Sequence, residues 1–455
     1  MMMHYTISMN TEKNLVLGAG ASGISFGLIS TNQTIIIESE GIAGGHAKST
    51  EVGKWVFDRG PHIIFSKDKL ALDCIKESLG ENILDCVRKN RVSIGNKIVN
   101  YPIENGLNEL NKVIRYQILI SFLHQKITNF RKVNNLEEWF IKHFGRKLTE
   151  MYFKPYNEKV WKVSLKDLSL DWTERIPFPK KSDFIFGLLF KKSSEGYLHQ
   201  LFYNYPKYGG YQAIMNAWVQ KLKPNALNLK EEVRKINLTE KYPIVLTNKQ
   251  SYSGYRVIST IPLKKLDKIC DQIPHEISQL ISELIVNPMY VVTLGFEGED
   301  KNNYTAIYFP EKDYLVNRIS FPHVFSKFTV PENHFMIQAE ITLKAGESKL
   351  KMSESEIVSH VIEGLKNKGI IENSVAVFAQ LDFYDDAYVV YSRNHKKRIE
   401  EIKKFFESKN LYLHGRFGGH EYLNIDGCLR SSIELHRKID DKTLDDDEIL
   451  KTFSI

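Results

Sequence analysis

The stretch NLVLGAGASGISFGLI, residues 14–29, decides the fold. Its first half is a short apolar run that predicts a buried strand, and glycines follow at 18, 20 and 23. In a strand–turn–helix unit, Gly18 allows the tight turn, Gly20 lets the backbone approach a pyrophosphate, and Gly23 lets the helix pack against the sheet. The N–H groups at the helix start then face an anion. The stretch therefore predicts a βαβ unit that binds the phosphates of a nucleotide.

A carboxylate follows at the end of the next predicted strand. The run TIIIESE, residues 34–40, predicts a second buried strand that ends near Glu38, about twenty residues after the glycine turn. A carboxylate in this position accepts a hydrogen bond from a ribose 2′-hydroxyl and disfavours a 2′-phosphate. We therefore expect a nucleotide with a free 2′-hydroxyl. The alternative is a structural βαβ unit that binds no ligand.

Length and composition limit the class of protein. The 455 residues suffice for two or three domains, and 42% hydrophobic with 26% charged residues is ordinary for a globular chain. The net charge of +7 is mild, and the sequence has no dense block of lysine and arginine, so we expect no nucleic-acid partner. The four cysteines are scattered without a C-x-x-C pair, which predicts a reducing compartment and no metal site.

Targeting and membrane segments are not evident in the sequence. The first residues, MMMHYTISMNTEK, lack the apolar core of a signal peptide, and no run of about eighteen apolar residues follows anywhere. We therefore expect a cytoplasmic protein. Two short apolar segments with basic ends, 115–126 and 183–192, could contact a membrane surface, but we favour helices whose apolar faces pack inside the protein.

The pattern of predicted elements changes along the chain. A mainly helical pattern, as in NNLEEWFIKHFGRKLTEMYFKPY, gives way to strand patterns such as PMYVVTLGF and HFMIQAEITL. We predict an α/β protein with a discontinuous Rossmann-like nucleotide-binding domain, an inserted helical domain and an antiparallel-sheet domain. The nucleotide-binding domain takes residues 10–70, 205–280 and 405–445, the mainly helical substrate domain 71–204, and the antiparallel-sheet substrate or cap domain 281–404.

A second glycine pair, Gly44 and Gly45, follows the ribose carboxylate and precedes His46. This pattern resembles the FAD signature of the glutathione-reductase-type flavoproteins, the superfamily of amine oxidases, protoporphyrinogen oxidases and UDP-galactopyranose mutases. A dinucleotide that carries an isoalloxazine needs a second close backbone approach, which glycines allow. The late segment GRFGGHEYLNID, residues 415–426, resembles the second flavin contact of the superfamily. The resemblance implies FAD as cofactor, held by Gly18, Gly20, Ser22, Gly23, Glu38, Gly44, Gly45, His46, Pro61, Val233, Arg416 and Asp426.

Further motifs resemble the UDP-galactopyranose mutase branch. FDRGPHIIFS resembles the segment that places a histidine beside the flavin, FKPYNEKVW an element that contacts uridine and sugar, and ERIPFP the segment with a substrate arginine. Arginine and tyrosine also suit a diphosphate, and an aromatic face suits a uracil. The resemblance implies catalytic roles for His62, Arg175 and Tyr422, and substrate contacts for Tyr156, Trp161, Arg318, Tyr391 and Asn424.

Two positions depart from the mutase pattern. The family has a second substrate arginine in a strand that matches PMYVVTLGF, where this chain has Val291 and Val292. The family also has a tyrosine after a glutamate in the strand that matches QAEITL, where Ile341 follows Glu340. Two polar contacts to the diphosphate are therefore lost or moved, and Arg318 is a candidate replacement.

Two classes of enzyme fit these patterns. The first is an FAD-dependent sugar-nucleotide mutase, for which the resemblance implies pyranose–furanose isomerisation through a reduced-flavin N5 adduct, an external flavin reductant and a role in polysaccharide biosynthesis. The alternative is an FAD-dependent oxidoreductase of the amine oxidase or protoporphyrinogen oxidase type. A third hypothesis is a flavin-binding protein without catalysis, which a cleft lined with arginines and aromatic residues disfavours.

Overall fold

The structure, a computed structural model, describes residues 13–128, 133–176, 181–189, 201–372 and 374–454. The glycine turn at residues 18–23 lies at the end of the central strand of a parallel sheet. Leu15, Val16 and Leu17 in this strand are fully buried, as expected for a parallel sheet that is covered on both faces. The strand order is Leu411–Leu413, Tyr255–Ser259, Lys13–Leu17, Gln33–Ile37 and Leu227–Asn228.

Two helices from opposite ends of the chain pack together beside this sheet. Ala21–Ile29 follows the glycine turn, and Ile425–Ile439 returns to it near the end of the chain. The hydroxyls of Ser25 and Ser432 lie 2.8 Å apart at the buried contact between them. Since the sheet takes strands from three separate parts of the sequence, the predicted α/β class with a discontinuous Rossmann-like domain is confirmed.

A seven-stranded sheet forms the second layer. All neighbouring strands are antiparallel except Ala306–Tyr308 and Asn90–Ile94, which are parallel. In its register, both Val291 and Arg318 lie opposite Glu340 on the neighbouring strands. The order is Ala376–Val390, Ile285–Glu297, His334–Thr342, Arg318–Ser320, Ala306–Tyr308, Asn90–Ile94 and Lys97–Asn100.

The remaining strands of the described chain form three smaller sheets. A four-stranded sheet beside the five-stranded parallel sheet has the order Ser251–Tyr252, Ile244–Thr247, Val233–Asn237 and Cys270–Asp271. Two-stranded ribbons pair Ser49–Val52 with Trp55–Asp58, and Ile83–Val87 with Phe202–Pro206.

Helices form the rest of the described chain. The α-helices are Ala21–Ile29, Lys69–Leu79, Ile103–Gly106, Lys112–Thr128, Leu136–Phe144, Arg146–Leu148, Lys154–Trp161, Lys181–Leu189, Gln212–Gln220, Leu263–Ile269, His275–Ser282, Pro322–Phe325, Glu354–Asn367, His395–Glu407, Gly415–Gly418, Ile425–Ile439 and Asp446–Phe453. Short 3₁₀-helices span Gly45–Ala47, Leu107–Glu109, Leu165–Asp167, Leu170–Arg175 and Lys327–Thr329, and Thr149–Phe153 is a π-helical turn. Among the described residues, no helix has the length and apolar character needed to cross a membrane.

The segment 71–204 contains strands as well as the expected helices. Asn90–Ile94 and Lys97–Asn100 form a hairpin whose two-residue turn has Gly95 at φ +60°. This hairpin extends the seven-stranded sheet through the parallel pairing with Ala306–Tyr308. That pairing could not be anticipated from the sequence because the partner strand lies about two hundred residues away. The domain boundaries given above stay a prediction.

The loop that follows Trp55–Asp58 lies against the seven-stranded sheet. The side chain of Gln338, in the seven-stranded sheet, donates to the backbone oxygen of Asp58 at 2.9 Å. A Cβ atom on Gly60 would lie 3.3 Å from Oε1 of Glu340. The loop that carries Pro61 and His62 therefore lies directly over the middle of the antiparallel sheet.

Candidate active site

The glycine turn forms one side of an open cradle. Gly18 has φ +101°, and a Cβ on Gly23 would lie 2.0 Å from the Gly18 oxygen, so both positions need glycine. Gly20 differs, because its backbone is extended and the nearest atom to an added Cβ is the Gly45 Cα at 3.9 Å. Gly20 also forms an isolated parallel bridge with Gly44. Two backbone segments without side chains thus face each other at the start of the helix, which suits the close approach of a pyrophosphate.

Glu38 lies at the end of its strand with its carboxylate against the glycine turn. Its oxygens accept the backbone N–H groups of Ala19 at 2.8 Å and Glu40 at 2.9 Å. A carboxylate has further acceptor positions, so this geometry can also hold ribose hydroxyls. The backbone N–H of Glu231 donates to the Glu38 carbonyl at 2.8 Å, and Val233 follows two residues later. Val233 therefore lies at the Glu38 end of the cradle, and its place over an adenine stays a prediction.

The late glycine-rich segment closes on the start of the first helix. Gly415 has φ +76°, and a Cβ there would lie 2.3 Å from the Ser22 hydroxyl oxygen. Asp426, in the first turn of the following helix, accepts the Ser66 hydroxyl at 2.6 Å. Asn424 is the exposed N-cap residue of that helix, and its side chain makes no capping hydrogen bond.

Two histidines beside the cradle are held in the neutral form. Burial lowers the pKa of His62 to about 3, with a further contribution from the charges of Arg416 and Arg318. Burial and the charges of Arg59 and Arg416 lower the pKa of His46 to about 3 as well. The His62 ring stacks on Tyr211 at 4.9 Å, and its buried Nδ1 atom has no hydrogen-bond partner within the described part of the chain. A bound group can therefore satisfy this nitrogen.

A closed circuit of contacts surrounds the space beside His62. The Trp161 ring lies 5.7 Å from Tyr388 and 6.0 Å from Tyr422, both edge-on. The guanidinium of Arg416 lies 4.1 Å from the centre of the Tyr422 ring, and its charge also lowers the His62 pKa, after burial. We call Trp161, Trp172, Tyr388 and Tyr422 the aromatic cluster.

An ion pair completes this circuit from the sheet side. Arg318 donates from Nε and Nη2 to the two oxygens of Glu340, at 2.8 and 2.6 Å. The Tyr388 hydroxyl donates to Glu340 at 3.2 Å. Glu340 is buried, whereas 25% of the Arg318 side chain is exposed. Two of the donor nitrogens of Arg318 thus fix its plane, and Nη1 is left for a ligand.

The apolar substitution at Val291 faces this space, and the one at Ile341 does not. Val291 is fully buried and packs with Met289 and Tyr388 in a small cluster that Trp161 and Tyr422 also contact. Ile341 packs in a separate core cluster on the opposite face of its strand, because successive side chains alternate. A fully buried valine, packed against Tyr388, therefore stands where the mutase pattern predicts an arginine.

Other predicted substrate residues differ in their positions. The Tyr156 ring stacks on Tyr152, with 5.7 Å between the ring centres. The positive charge of Arg318 acts electrostatically on the Tyr156 hydroxyl. The Tyr391 hydroxyl accepts the backbone N–H of Tyr422 at 2.7 Å, so it supports the Tyr422 backbone. The side chain of Arg175, which ends a 3₁₀-helix, lies outside the described residues.

Several residues of the site were not anticipated from the sequence. They are Tyr388, Trp172, Tyr211 and the partner of Arg318, Glu340. A sequence signal existed for Glu340, because a carboxylate inside the otherwise apolar run FMIQAEITL requires a partner. The aromatic residues carried no such signal, since most aromatic side chains only fill a core.

Histidine burial predicts that the protein loses stability in mild acid. Burial lowers the pKa of five histidines far below the usual value, namely His46, His62, His414 and His420 to about 3 and His395 to about 4, and it also lowers the pKa of His360. In the unfolded chain they titrate near 6.5, so the native state binds fewer protons and stability falls as the pH falls below 6.5. Burial raises the pKa of Asp58 to about 6, which acts in the opposite direction between pH 6 and 4.

Urea unfolding at a series of pH values measures this effect. Five histidines less one aspartate give a limiting slope of about four protons, on the order of 5 kcal/mol per pH unit, between pH 6 and 5. His395→Gln is expected to reduce the slope, and His275→Gln, at an exposed position, is the matched control. An unfolding free energy that stays constant from pH 6.5 to 5 would contradict the neutral state of these histidines.

The fold and the cradle together define a class of dinucleotide-binding flavoenzyme. The chain belongs to the flavin containing amine oxidoreductase family, whose sequence model matches residues 30–434. It is therefore an enzyme of the flavin oxidoreductase superfamily, and the unpaired His62 nitrogen and the open backbone at Gly20 fit a flavin dinucleotide.

Solved structures of other enzymes share this fold. A reduced UDP-galactopyranose mutase is similar with a TM-score of 0.86 and 22% identity, over 94% of this chain and 93% of that one. A proposed protoporphyrinogen oxidase from Exiguobacterium sp. 255-15 is similar with a TM-score of 0.75 and 12% identity, over 94% and 99%. A fatty acid isomerase from P. acnes that produces CLA has a TM-score of 0.64 and 13% identity, over 95% and 100%. At these identities the likeness shows the fold alone.

Proposed function

We propose that this protein is an FAD-dependent sugar-nucleotide mutase that interconverts the pyranose and furanose forms of a nucleotide-activated sugar. The observation that carries the proposal is the contact of Trp161 with Tyr422 and of Tyr422 with Arg416, whose charge also acts on buried His62. These residues come from distant parts of the chain, and each was singled out for its resemblance to the mutase. The similarity to a mutase over 94% of the chain supports the proposal further.

The FAD follows the cradle in this proposal. Glu38 holds the ribose of its adenosine half, and the backbone at Gly20 and Gly44 lies against its pyrophosphate. When bound and reduced by an external donor, the flavin supplies a nucleophilic nitrogen to the sugar. His62 stays neutral at working pH because its pKa is lowered to about 3 by burial and nearby arginines, so its Nδ1 accepts or donates a hydrogen bond without bringing a charge.

The substrate occupies the space that the aromatic cluster surrounds. Trp161 and Tyr156 offer faces for a base, and the Tyr422 hydroxyl and the Nη1 edge of Arg318 offer donors for phosphate oxygens. Glu340 neutralises the charge of Arg318 in the free protein. This arginine therefore offers a phosphate an oriented hydrogen-bond donor but little net positive charge. Val291 is apolar and stands where the mutase pattern has an arginine, so this position offers no charged contact to a diphosphate. Arg175 then has to supply much of the positive charge that a diphosphate needs.

Removing the Arg175 guanidinium tests this charge requirement. Arg175→Ala is expected to lower kcat/KM for the nucleotide sugar by roughly a hundredfold, since a charged hydrogen-bond partner is lost. Arg175→Lys should recover only a small part, because lysine lacks the bidentate fork. Steady-state kinetics with the reduced enzyme, together with the flavin absorption spectrum, measures both.

Lys166→Ala supplies the matched control for Arg175. Lys166 is an exposed cation in the 3₁₀-helix Leu165–Asp167, and its loss should leave kcat/KM unchanged. Full activity in Arg175→Ala would show that the substrate charge is met elsewhere, and the substrate would then not be a diphosphate held as we propose.

The apolar residue at Val291, in place of the arginine of the mutase pattern, supports a second candidate function. An FAD-dependent oxidoreductase of the amine oxidase or protoporphyrinogen oxidase type accepts an apolar or cyclic substrate and does not need the arginine that Val291 replaces, and Val291 packs with Met289 and Tyr388 in an apolar cluster. In that case the oxidised flavin is the competent form, and substrate reduces it once in the absence of oxygen.

A further inference from the structure

The helix Lys112–Thr128 is apolar on two opposite faces, and the protein covers one of them. Ile118 and Phe122 are buried in the core cluster to which Trp161 and Tyr422 also belong. The other face carries a stripe of large apolar side chains that are between 46% and 66% exposed, namely Val113, Tyr116, Ile120 and Leu123. Their spacing of three, four and three residues aligns them along the helix. We call these four residues the exposed stripe.

The patch extends to the neighbouring helix. Leu189, at the end of Lys181–Leu189, is 46% exposed, and the Arg115 guanidinium donates to the backbone oxygen of Leu188 at 2.8 Å. Isolated apolar side chains on a surface are ordinary, but a continuous line of them on a helix marks a contact surface. A helix that is apolar all round is normally covered on every side.

The charge of this helix identifies what covers it. The sequence KVIRYQILISFLHQKIT contains Lys112, Arg115 and Lys126 and has no aspartate or glutamate. The exposed acid on the adjoining segment, Glu150, is paired with Arg146 at 3.7 Å. Two copies that paired symmetrically through this stripe would bring the same cations together. An anionic layer of lipid headgroups has the complementary charge and accepts the apolar side chains beneath it.

We propose that the exposed stripe binds the surface of an anionic lipid membrane, with the helix parallel to that surface. The helix lies on the membrane and does not cross it, in agreement with the lack of a spanning helix in the described chain. Tyr116 suits the boundary between headgroups and acyl chains, because its ring is apolar and its hydroxyl polar. This inference concerns where the enzyme works and stands independently of the reaction that it catalyses.

Vesicle flotation of the flavin-loaded full-length protein tests the inference. The protein is expected to float with vesicles of phosphatidylcholine and phosphatidylglycerol, and to do so less with phosphatidylcholine alone or in high salt. Ile120→Asp should lower the partition coefficient roughly tenfold to a hundredfold, because an apolar side chain no longer enters the lipid. Lys112→Glu should lower it roughly tenfold to thirtyfold on anionic vesicles, because the change removes a favourable charge and adds an unfavourable one.

Matched controls use equivalent surface positions elsewhere. Val375 is 75% exposed, so Val375→Asp tests the general effect of an acid in place of an apolar residue, and Lys54→Glu tests charge reversal at another exposed lysine. Both should bind vesicles like the wild type. The inference is overturned if the wild type fails to float with anionic vesicles, or if Ile120→Asp floats equally well. It is also overturned if light scattering finds a dimer that Ile120→Asp dissociates, since a second copy would then cover the stripe.

Discussion

Replacing Gly20 by valine is expected to give a folded protein that has lost its flavin. Gly20 has φ −79° and ψ −178°, which a valine adopts without strain, and the nearest atom to an added Cβ lies 3.9 Å away. The protein itself therefore has room for a Cβ atom at this position. The branched side chain projects instead into the cradle between Gly20 and Gly44, where a pyrophosphate must approach the backbone.

The measurement is the amount of FAD released on denaturation of the purified protein. The wild type should release FAD in an equimolar amount and be yellow, and Gly20→Val should be colourless with an unchanged far-ultraviolet circular dichroism spectrum. Gly41→Ala is the matched control, because Gly41 is exposed and an added Cβ there meets only the flexible end of Lys230. If Gly20→Val releases an equimolar amount of FAD, the FAD pyrophosphate does not bind at the Gly20 backbone as proposed.

Replacing Glu340 by leucine is expected to lower the free energy of unfolding by about 3 kcal/mol. Glu340 accepts two hydrogen bonds from Arg318 and one from Tyr388, and its carboxylate is buried. Its removal leaves a guanidinium with 25% exposure beside the apolar side chains of the sheet, without its counter-ion. The exposed fraction keeps the expected loss near the lower end of the range for buried pairs.

A double variant separates the lost charge partner from lost packing. Glu340→Leu combined with Arg318→Met removes both charges, so the unfolding free energy should return to within about 1 kcal/mol of the wild type. Urea unfolding of the wild type, both single variants and the double variant gives the coupling energy. Additive effects of the two single changes would mean that the ion pair does not act as a unit. The double variant should still have low activity, because the Nη1 donor of Arg318 is gone.

The nucleotide cradle could be predicted from the sequence because its reasons are local. Gly18 is required by its own positive φ and Gly23 by the Gly18 oxygen in the same turn, and Glu38 acts from the end of the adjacent strand. Short apolar runs likewise predicted the two strands of the parallel sheet that flank the first helix. The Gly44 and Gly45 pair was identified by its resemblance to an FAD signature, in which the backbone must come close to the cofactor, and the structure pairs Gly44 with Gly20.

The substrate side could not be predicted to the same depth, because it depends on pairings between distant strands. Val291 and Ile341 looked equivalent in the sequence, yet only Val291 faces the cleft, and this follows from the register of the antiparallel sheet. The bond from Arg318 to Glu340 depends on the same register. Tyr391 was predicted to contact substrate, but its hydroxyl is directed to the backbone of Tyr422, which no local pattern could indicate.

The redox state that supports turnover tests the proposed function most directly. UDP-galactopyranose is incubated without oxygen with the dithionite-reduced enzyme and, separately, with the oxidised enzyme, and the furanose product is quantified by chromatography. For a mutase, we expect many turnovers by the reduced enzyme and none by the oxidised enzyme. The fraction of flavin that is reduced should stay constant. If no sugar nucleotide is isomerised by the reduced enzyme, and an amine or a porphyrinogen instead reduces the oxidised flavin stoichiometrically, the mutase proposal is wrong.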